Sequence, residues 1–310
     1  MLSYRHAFHA GNHADVLKHL VLVHCLEYMN TKDKPYLVVD THAGAGLYSL
    51  DADHAKRTGE YLHGVARLWD LKTIPPSLTR YMALLRQLNS GKLRRYPGSP
   101  WITEHMLRES DRLRLAELHS TDFAFLRRHY RDAGRRITVE QEDGFAVLKA
   151  ALPPVSRRGL VLIDPSYEIK SDYMKVSVAV KEALKRFATG TYLIWHPMLP
   201  SIDANQLPEK LKKSGATHWL HATLRVRPPA TKGHGMHGSG VFVINPPWTL
   251  QAQLEEALTF LTPLLAATPG AEGEATWSVE AFELGATPTP ARQHRPPGGL
   301  ASQRITSTNS

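Results

Sequence analysis

The chain has almost no cysteine and no long run of apolar residues. Its single cysteine, Cys25, excludes an intrachain disulfide and a zinc site built on cysteine ligands. No apolar stretch approaches the roughly 20 residues that a membrane-spanning helix needs. Residues 1–6 lack the apolar core of a signal peptide, so a cytoplasmic location is expected. Cys25 lies in an apolar helical pattern and is predicted to be a small core residue.

Acidic residues are also in the minority. Lys and Arg together number 38 and Asp and Glu 29, which gives a net charge of +9 and a pI near 9.6. A basic excess of this size favours a polyanionic partner. Aromatic residues lie among some of the basic clusters, a mixture that suits phosphate contact with base stacking but does not separate RNA from DNA. The clusters are at 92–95, 127–131, 135–136 and 157–158.

What the chain does contain is an alternation of short apolar runs and helical patterns. This alternation predicts an α/β fold with a mostly parallel sheet. Strands are predicted at 36–40, 112–117, 137–141, 160–163, 191–196, 219–226 and 240–245, and helices at 14–30, 121–133, 143–151, 171–187 and 204–214. No helix separates the last two strands, so they should form an antiparallel pair. A seven-stranded Rossmann-like sheet ending this way is typical of S-adenosylmethionine-dependent methyltransferases.

Two stretches depart from this alternation. Residues 50–99 have only helical patterning and are predicted to form a small helical subdomain, inserted into a main domain of residues 1–49 and 100–280. Residues 285–310 are rich in Pro, Thr, Gly, Gln, Arg and Ser and bury too little apolar surface to order themselves. We expect this tail to be disordered.

Two of the predicted strands end in an acid followed by an unusual loop. The run 160–163 continues into Asp164-Pro165-Ser166-Tyr167, and Asp40 ends the first strand, before a loop of small residues at 43–46. Ligands of open α/β sheets bind outside the carboxyl ends of the strands. A carboxylate beside an aromatic ring suits a planar group that carries an amine, such as adenine or cytosine. Asp-Pro also starts ordinary turns, which is the alternative for the first motif.

On the methyltransferase interpretation, the other strand ends hold the cofactor. The loop 42–46, with Gly44 and Gly46, would pass under the methionine part of S-adenosylmethionine, since glycines let the backbone approach closely. Glu117 would accept hydrogen bonds from ribose hydroxyls, although a solvated strand-end glutamate is equally compatible. Asp143-Gly144 would meet the adenine ring, and Asp143 is also a natural helix cap.

Asp164 is the predicted catalytic residue. The exocyclic amine of adenine is a poor nucleophile because its lone pair is delocalised into the ring. Hydrogen bonds from the amine to the Asp164 carboxylate and the Pro165 carbonyl favour a more tetrahedral nitrogen, whose lone pair then points at the methyl group. Tyr167 is predicted to stack on the extruded base.

Several long strings of residues closely resemble the bacterial ribosomal RNA large subunit methyltransferase J family. They lie at 1–6, 8–19, 40–46, 57–62, 96–100, 152–159 and 243–248, and the resemblance covers residues 1–280. It implies N6-methylation of adenine-2030 of 23S rRNA by S-adenosylmethionine. The family's cofactor positions fall on His19, His42, Ser99, Glu117, Asp143, Gly144 and Asp164. Its positions near the target base fall on Tyr4, His6 and Lys18.

One residue departs from the family pattern Asp-Pro-Pro-Tyr. Ser166 stands in the place of the second proline, so a fixed φ is lost and a backbone N–H is gained. The carboxylate, the Pro165 carbonyl and the Tyr167 ring are kept. We therefore expect reduced activity rather than none.

Other functions remain open at this point. A DNA adenine-N6 methyltransferase would share the Asp-Pro-x-Tyr chemistry, and an RNA-binding protein could have lost activity through Ser166. A nicotinamide-dependent dehydrogenase is disfavoured because the loop at 43–46 lacks a complete Gly-x-Gly-x-x-Gly. His6, His9, His13 and Asp15 could suggest a metal site, but no cysteine or distant ligand supports one, so no metal is expected. A monomer is expected.

Overall fold

A strand–helix alternation around one large sheet organises the chain in the computed structural model. The structure describes residues 5–229, 235–267, 274–286 and 291–293. Its strands are β1 (Leu37–Asp40), β2 (Leu47–Ser49), β3 (Arg95–Pro97), β4 (Arg112–Ala116), β5 (Ile137–Glu140), β6 (Gly159–Ile163), β7 (Thr191–Met198), β8 (His218–Arg225), β9 (Gly238–Ile244), β10 (Thr276–Glu283) and β11 (Arg292–Gln293).

Ten α-helices connect these strands in the described ranges. They are α1 (His13–Met29), α2 (Asp53–Thr58), α3 (Ala66–Trp69), α4 (Thr79–Leu88), α5 (Ser99–Met106), α6 (Ser120–His129), α7 (Gly144–Ala151), α8 (Ser171–Arg186), α9 (Ile202–Lys212) and α10 (Leu250–Leu265). Helix α1 is capped by Asn12, whose side-chain oxygen accepts from the N–H groups of Ala14 and Asp15. No helix within the described ranges is both long and apolar enough to cross a membrane.

The main sheet confirms the predicted mixed architecture and extends it. Its strand order is β11-β10-β8-β9-β7-β6-β1-β4-β5. Strands β5, β4, β1, β6 and β7 are parallel, and β9 runs antiparallel to both β7 and β8. Each predicted strand and helix is present with its bounds shifted by a few residues at most.

The prediction of seven strands is incomplete, because β10 and β11 are added at one edge. Strand β10 pairs with β8 along its whole length, from Thr276 opposite Arg225 to Glu283 opposite His218. This pairing covers the backbone groups that β8 would otherwise expose at the sheet edge. Helix α10, also absent from the prediction, carries the chain back across the sheet to β10.

Two apolar cores lie on opposite faces of the sheet. One contains α1, α5 and α10, and the other contains α7, α8 and α9. Helix α1 is buried along nearly its whole length, so its polar side chains as well as its apolar ones are enclosed. Cys25 is 1% exposed within the first core, as predicted.

The segment 50–99 is largely helical but has no core of its own. Its buried residues Leu68, Tyr81 and Leu85 belong to the same core as α1. Strands β2 and β3 pair at its two ends, with Tyr48 opposite Tyr96. The insertion is therefore joined to the main sheet through a shared core, and its treatment as a separate subdomain stays a prediction.

Part of the predicted tail differs from the expectation of disorder. Arg292–Gln293 form β11, which pairs with β10, and the Arg292 guanidinium lies 2.9 Å from a Glu255 carboxylate oxygen. Backbone pairing with a neighbouring strand orders this segment, although its own composition gives no sign of it. Positions 287–290 and 294–310 of the predicted tail lie outside the described residues.

Candidate active site

The two strand-end acids lie at one edge of the sheet, as the sequence predicts. Strands β1 and β6 are adjacent and parallel, with Asp40 opposite Leu162, so Asp164 follows directly beyond the same edge. A cavity of about 880 Å³ opens there, and the loop after β1, Glu117, Asp143 and Asp164 all line it. The carboxyl ends of the parallel strands therefore build one site.

The loop after β1 depends on glycine and holds Glu117 in place. Gly44 and Gly46 have φ values of +60° and +77°, which other residues rarely adopt. The Gly44 N–H donates to Glu117 Oε2 at 2.8 Å, and the His119 N–H donates to Oε1 at 2.6 Å. Burial raises the pKa of Glu117. Its carboxylate is thus fixed by two backbone donors beside the loop.

The start of α7 brings Asp143 and Gly144 against the same loop. Asp143 caps the helix by accepting from the Phe145 N–H at 2.7 Å, so the capping role left open by the sequence is real. A Cβ atom at Gly144 would overlap the Thr41 carbonyl oxygen, and only glycine fits there. Asp143 also lines the cavity, so it can cap the helix and lie beside a ligand at the same time.

His42 lines the cavity beside Asp143 with a neutral imidazole ring. Burial lowers its pKa to about 4. Its Nδ1 lies 2.8 Å from the Thr41 hydroxyl, and its ring meets the Phe145 ring edge-on at 5.3 Å. Thr41 and Phe145 therefore fix the orientation of the His42 imidazole.

Asp40 is a site residue that the sequence interpretation did not list. Ser99 donates its hydroxyl to Asp40 Oδ2 at 2.6 Å, and the His42 N–H donates to Oδ1 at 3.3 Å. Burial raises the pKa of Asp40 to about 7. Its place at the end of the first strand was the available signal, but nothing in the sequence indicated the contact with Ser99, which was predicted only as a cofactor position.

His19 is enclosed rather than exposed on a helix surface. It is 1% exposed, and its Nδ1 lies 2.8 Å from the Tyr96 hydroxyl, which lies 3.1 Å from the Tyr81 hydroxyl. Burial lowers the pKa of His19 to about 3. A neutral imidazole therefore faces the cavity from α1, held by a tyrosine of the insertion boundary.

Lys18 joins Asp164 to a second buried acid. Its Nζ lies 2.5 Å from Asp164 Oδ2 and 2.9 Å from Asp15 Oδ1. Burial would lower the pKa of Lys18, but the two carboxylates raise it overall. For Asp164, burial raises the pKa, and Lys18 opposes that shift. Lys18, which is predicted to lie near the base, is a direct partner of the predicted catalytic carboxylate.

Asp15 is the central acid of this network. From the sequence it appeared only as a possible metal ligand. Its Oδ2 lies 2.9 Å from His6 Nε2 and accepts from the Gly11 N–H at 2.8 Å. Burial would raise the pKa of Asp15, but His6 and Lys18 hold it well below its usual range. The three-residue spacing of Asp15 and Lys18 on one helix was the only local sign of this pair.

Tyr167 lines the cavity in a strained backbone conformation. Its φ is +54°, a value that is uncommon for a bulky residue. Its hydroxyl donates to the Trp195 carbonyl at 2.7 Å, and its ring lies 4.6 Å from that of Tyr173. The hydrogen bond and the ring contact hold the Asp164-Pro165-Ser166-Tyr167 loop against β7 and α8.

The predicted contacts with nucleic acid are only partly located. His6 lines the cavity and meets the Tyr48 ring at 5.0 Å, whereas Tyr4 lies outside the described residues. Arg136 donates to the backbone carbonyls of Glu104 and Leu107. Arg136 therefore caps the end of α5, and phosphate contact by the basic clusters stays a prediction.

Arg158 likewise holds backbone rather than a ligand. It donates to the carbonyl groups of Met29, Lys32 and Lys34 and precedes β6, at the sheet edge opposite the cavity. The cluster at 157–158 therefore does not face the site. In the described parts of the chain, no group of three or more His, Cys, Asp or Glu side chains is arranged to hold a metal ion.

Known proteins resemble this chain over most of its length. A family model described as "Ribosomal RNA large subunit methyltransferase D, RlmJ" matches residues 33–279. The chain belongs to the ribosomal RNA large subunit methyltransferase J family. Relatives of that name from Escherichia coli K12 and Haemophilus influenzae are 49% and 46% identical, each over 90% of this chain and 98% of the relative.

A solved structure agrees with the family fold. A crystal structure of a protein from Legionella pneumophila strain Philadelphia 1 superposes with a TM-score of 0.80. That protein is 34% identical, and the match covers 88% of this chain and 98% of the other. The family's Rossmann-like methyltransferase architecture therefore extends over the sheet and the cavity described above.

Proposed function

We propose that this chain transfers a methyl group from S-adenosylmethionine to the N6 amine of adenine-2030 in 23S rRNA. The observation that carries the proposal is the Asp164 carboxylate, which is enclosed in the large cavity and held by the buried Lys18 ammonium at 2.5 Å. The two named relatives are ribosomal RNA methyltransferases by their printed names. A cavity of about 880 Å³ has room for a cofactor and a flipped base.

The residues that line the cavity around the loop after β1, Glu117 and the start of α7 fit an S-adenosylmethionine molecule. Glu117 presents a fixed carboxylate to a ribose diol, and Gly44 and Gly144 leave the backbone open to close approach. The neutral His42 ring offers an uncharged flat surface beside Asp143. The cofactor, when bound, supplies an electrophilic methyl group on a sulfonium ion.

Asp164 and Pro165 activate the amine. Lys18 occupies one Asp164 oxygen, Oδ2, so we assign Oδ1 and the Pro165 carbonyl as acceptors of the two N6 hydrogens. Two strong acceptors favour a pyramidal nitrogen and direct its lone pair toward the methyl carbon. The Lys18 ammonium favours the ionised form of Asp164 and opposes the rise in pKa that burial causes. Catalysis is thus orientation together with fixed charge.

Tyr167 completes the substrate side. Its ring lines the cavity beside Asp164, and the hydrogen bond to Trp195 limits its motion. Stacking on a flipped adenine compensates part of the energy lost when the base leaves its helix. All the groups named here come from one chain, so we expect a monomer to be sufficient.

Mass mapping of methylated adenines in 23S rRNA tests the proposal. We expect one N6-methyladenine, at position 2030, in cells that make this protein and none at that position in cells that lack it. Complementation with Asp164→Asn should leave the position unmethylated. Purified protein should also methylate a 23S rRNA fragment in preference to duplex DNA. Equal methylation in the deletion strain, or transfer to duplex DNA alone, would overturn the proposal.

A further inference from the structure

Part of the cavity is lined by residues that the proposed chemistry does not use. We call this part the distal lobe. It is lined by His9, Asn12, His13, Glu60 and Arg227. These residues come from three separate segments, which are the start of α1, the start of the insertion and the chain just after β8. Two of the strings noted in the sequence, 8–19 and 57–62, meet here.

The insertion is fixed tightly to the start of α1 at this point. The Thr58 hydroxyl donates to the Phe8 carbonyl at 2.5 Å, and the Val65 N–H donates to the Gly11 carbonyl at 2.8 Å. Gly64 has no room for a Cβ atom because the Gly11 carbonyl lies against it. The wall of the distal lobe is therefore built by defined contacts and not by a loose surface loop.

Glu60 is held by two side chains of the opposite wall. Its Oε1 lies 2.8 Å from His9 Nδ1, and its Oε2 accepts from Asn12 Nδ2 at 2.9 Å. The hydrogen bond to Glu60 raises the pKa of His9. The contact with His9 therefore reduces the negative potential that Glu60 brings to the lobe. The nearby Asp15 is paired with the Lys18 ammonium at 2.9 Å.

His13 carries a buried polar atom without a partner. Its Nε2 is enclosed and makes no hydrogen bond within the described residues. Burial lowers the pKa of His13 to about 4, so its ring is neutral near pH 7 and can carry one N–H. Buried polar atoms are nearly always paired, and an exception beside a cavity indicates a ligand contact.

Arg227 brings a positive charge to the same lobe. One of its nitrogens, Nη2, donates to the Met236 carbonyl at 2.8 Å, and no other hydrogen bond of this side chain occurs in the described ranges. A guanidinium has five N–H donors in a planar fork that suits phosphate oxygens. The charge of Arg227 is close enough to act on His13.

His13 and Lys18, the partner of Asp164, lie on the same helix. His13 precedes Lys18 by five residues, which corresponds to a rise of about 7.5 Å along the helix axis. A sugar–phosphate group joined to the target nucleotide can span an interval of this size.

We propose that the distal lobe binds a phosphodiester group next to the target adenosine, with Arg227 as the charged donor and His13 Nε2 as a neutral donor. This inference rests on the proposed function, since it takes RNA as the substrate. Phosphate contacts of this kind set the register of a strand without reading its sequence. The distal lobe would thus determine which adenosine along the strand reaches Asp164.

The first test replaces the charge. Arg227→Gln should raise the KM for a 23S rRNA fragment by about tenfold, since a charge-assisted hydrogen bond to phosphate is lost. The affinity for S-adenosylmethionine and kcat should change by less than about twofold. The salt dependence of RNA binding should weaken by about one phosphate contact. Arg186→Gln, an exposed arginine at the end of α8 on the opposite edge, is the matched control and should leave KM unchanged.

The second test replaces the phosphate. The two phosphodiesters that flank the target adenosine are changed in turn to uncharged methylphosphonates. One of these changes should weaken binding by the native protein by about tenfold and have no further effect on Arg227→Gln. Independent losses at both positions, or an Arg227→Gln variant that binds RNA as the native protein does, would exclude the distal lobe as the phosphate site.

The third test concerns His13. His13→Ala should raise the KM for RNA, with the melting temperature and cofactor affinity retained, and His13→Gln should restore part of the loss because its amide also donates. A fall in melting temperature with an unchanged KM would mean that His13 has only a structural role. Binding is measured by fluorescence anisotropy as well as by methylation. If the native protein binds the fragment but does not methylate it, the proposed function is contradicted. The binding measurements on the variants still decide whether the distal lobe holds a phosphate.

Discussion

Two buried acids near the cavity, Asp40 and Asp15, have pKa values shifted in opposite directions. On the proposed cofactor side, Asp40 accepts a hydrogen bond from Ser99, and no lysine or arginine of the described residues lies at hydrogen-bond distance from it; burial raises its pKa to about 7. On the proposed substrate side, Asp15 is as deeply buried, but Lys18 and His6 hold its pKa well below the usual range. Burial acts in the same direction on both, so the difference between these two acids comes from their partners.

This difference fits the proposed function. An adenosyl group would meet hydrogen-bond acceptors and flat surfaces, which hydroxyl-bonded carboxyls and neutral histidines supply. The proposed amine activation requires an ionised carboxylate in an enclosed place, and the Lys18 ammonium favours that form of Asp164 against the effect of burial. Four substitutions test the contrast, beginning with the largest effect.

Asp164→Asn should abolish methyl transfer. The substitution keeps the size of the side chain and removes the charge that the proposed mechanism requires, so the single-turnover rate should fall by at least about 100-fold. Cofactor affinity, measured by calorimetry, should stay within about threefold. Asp132→Asn, at a surface ion pair with Arg131, is the control and should be fully active. A residual rate within tenfold of the native rate would refute the assigned role.

Lys18→Met should strongly lower the free energy of unfolding of the protein. Without the ammonium, two buried carboxylates face each other uncompensated, which costs about 3–5 kcal/mol of unfolding free energy. Urea denaturation at neutral pH measures this loss. Lys185→Met removes an exposed lysine that lies 2.7 Å from Glu182, and it should leave the unfolding free energy almost unchanged. Equal losses in the two variants would show that burial of the pair is unimportant.

Asp40→Asn should change how stability depends on pH. The pKa of Asp40 is raised by folding, so the folded state holds a proton that the unfolded state has released above about pH 4. Native stability should therefore fall from this cause as pH rises from about 4 to 7 and then level off.

The Asn variant lacks that decline. Between pH 5 and 8 its unfolding free energy should improve relative to the native protein by on the order of 2–3 kcal/mol. Denaturation of both proteins with guanidinium chloride at the two pH values measures the difference in unfolding free energy directly. Asp15, whose pKa is lowered, acts with the opposite sign and at lower pH in both proteins, so it cancels. Parallel pH curves would mean that Asp40 stays ionised.

Ser166→Pro should have the smallest effect. The Ser166 N–H makes no hydrogen bond among the described residues, so proline would sacrifice none there. A more rigid loop should raise the single-turnover rate by about two- to fivefold, without altering cofactor affinity. Ser156→Pro, in a loop away from the cavity, is the control for a general stiffening of the chain. An unchanged single-turnover rate would show that Ser166 does not reduce activity by making the loop less rigid.

Much of the fold was predictable because its signals are local. Apolar runs of strand length, helical spacing between them and the missing helix between β8 and β9 all lie within a few residues of one another. Strands β10 and β11 and helix α10 escaped prediction, although buried Trp277 and Val279 alternate with polar residues and gave a local strand signal for β10. The tail illustrates a limit of local signals, since Arg292 is ordered by contacts with β10 and Glu255.

The sequence by itself determined the order of strands and helices and the kinds of groups at the strand ends, among them Asp164 and Glu117. Only the tertiary structure decided which of those groups are charged. Lys18 and Asp164 are 146 positions apart, and Asp40 and Ser99 are 59 apart. Hydrophobic periodicity is written along neighbouring residues, whereas the charge of a buried group depends on how completely it loses water and on which partner packs against it.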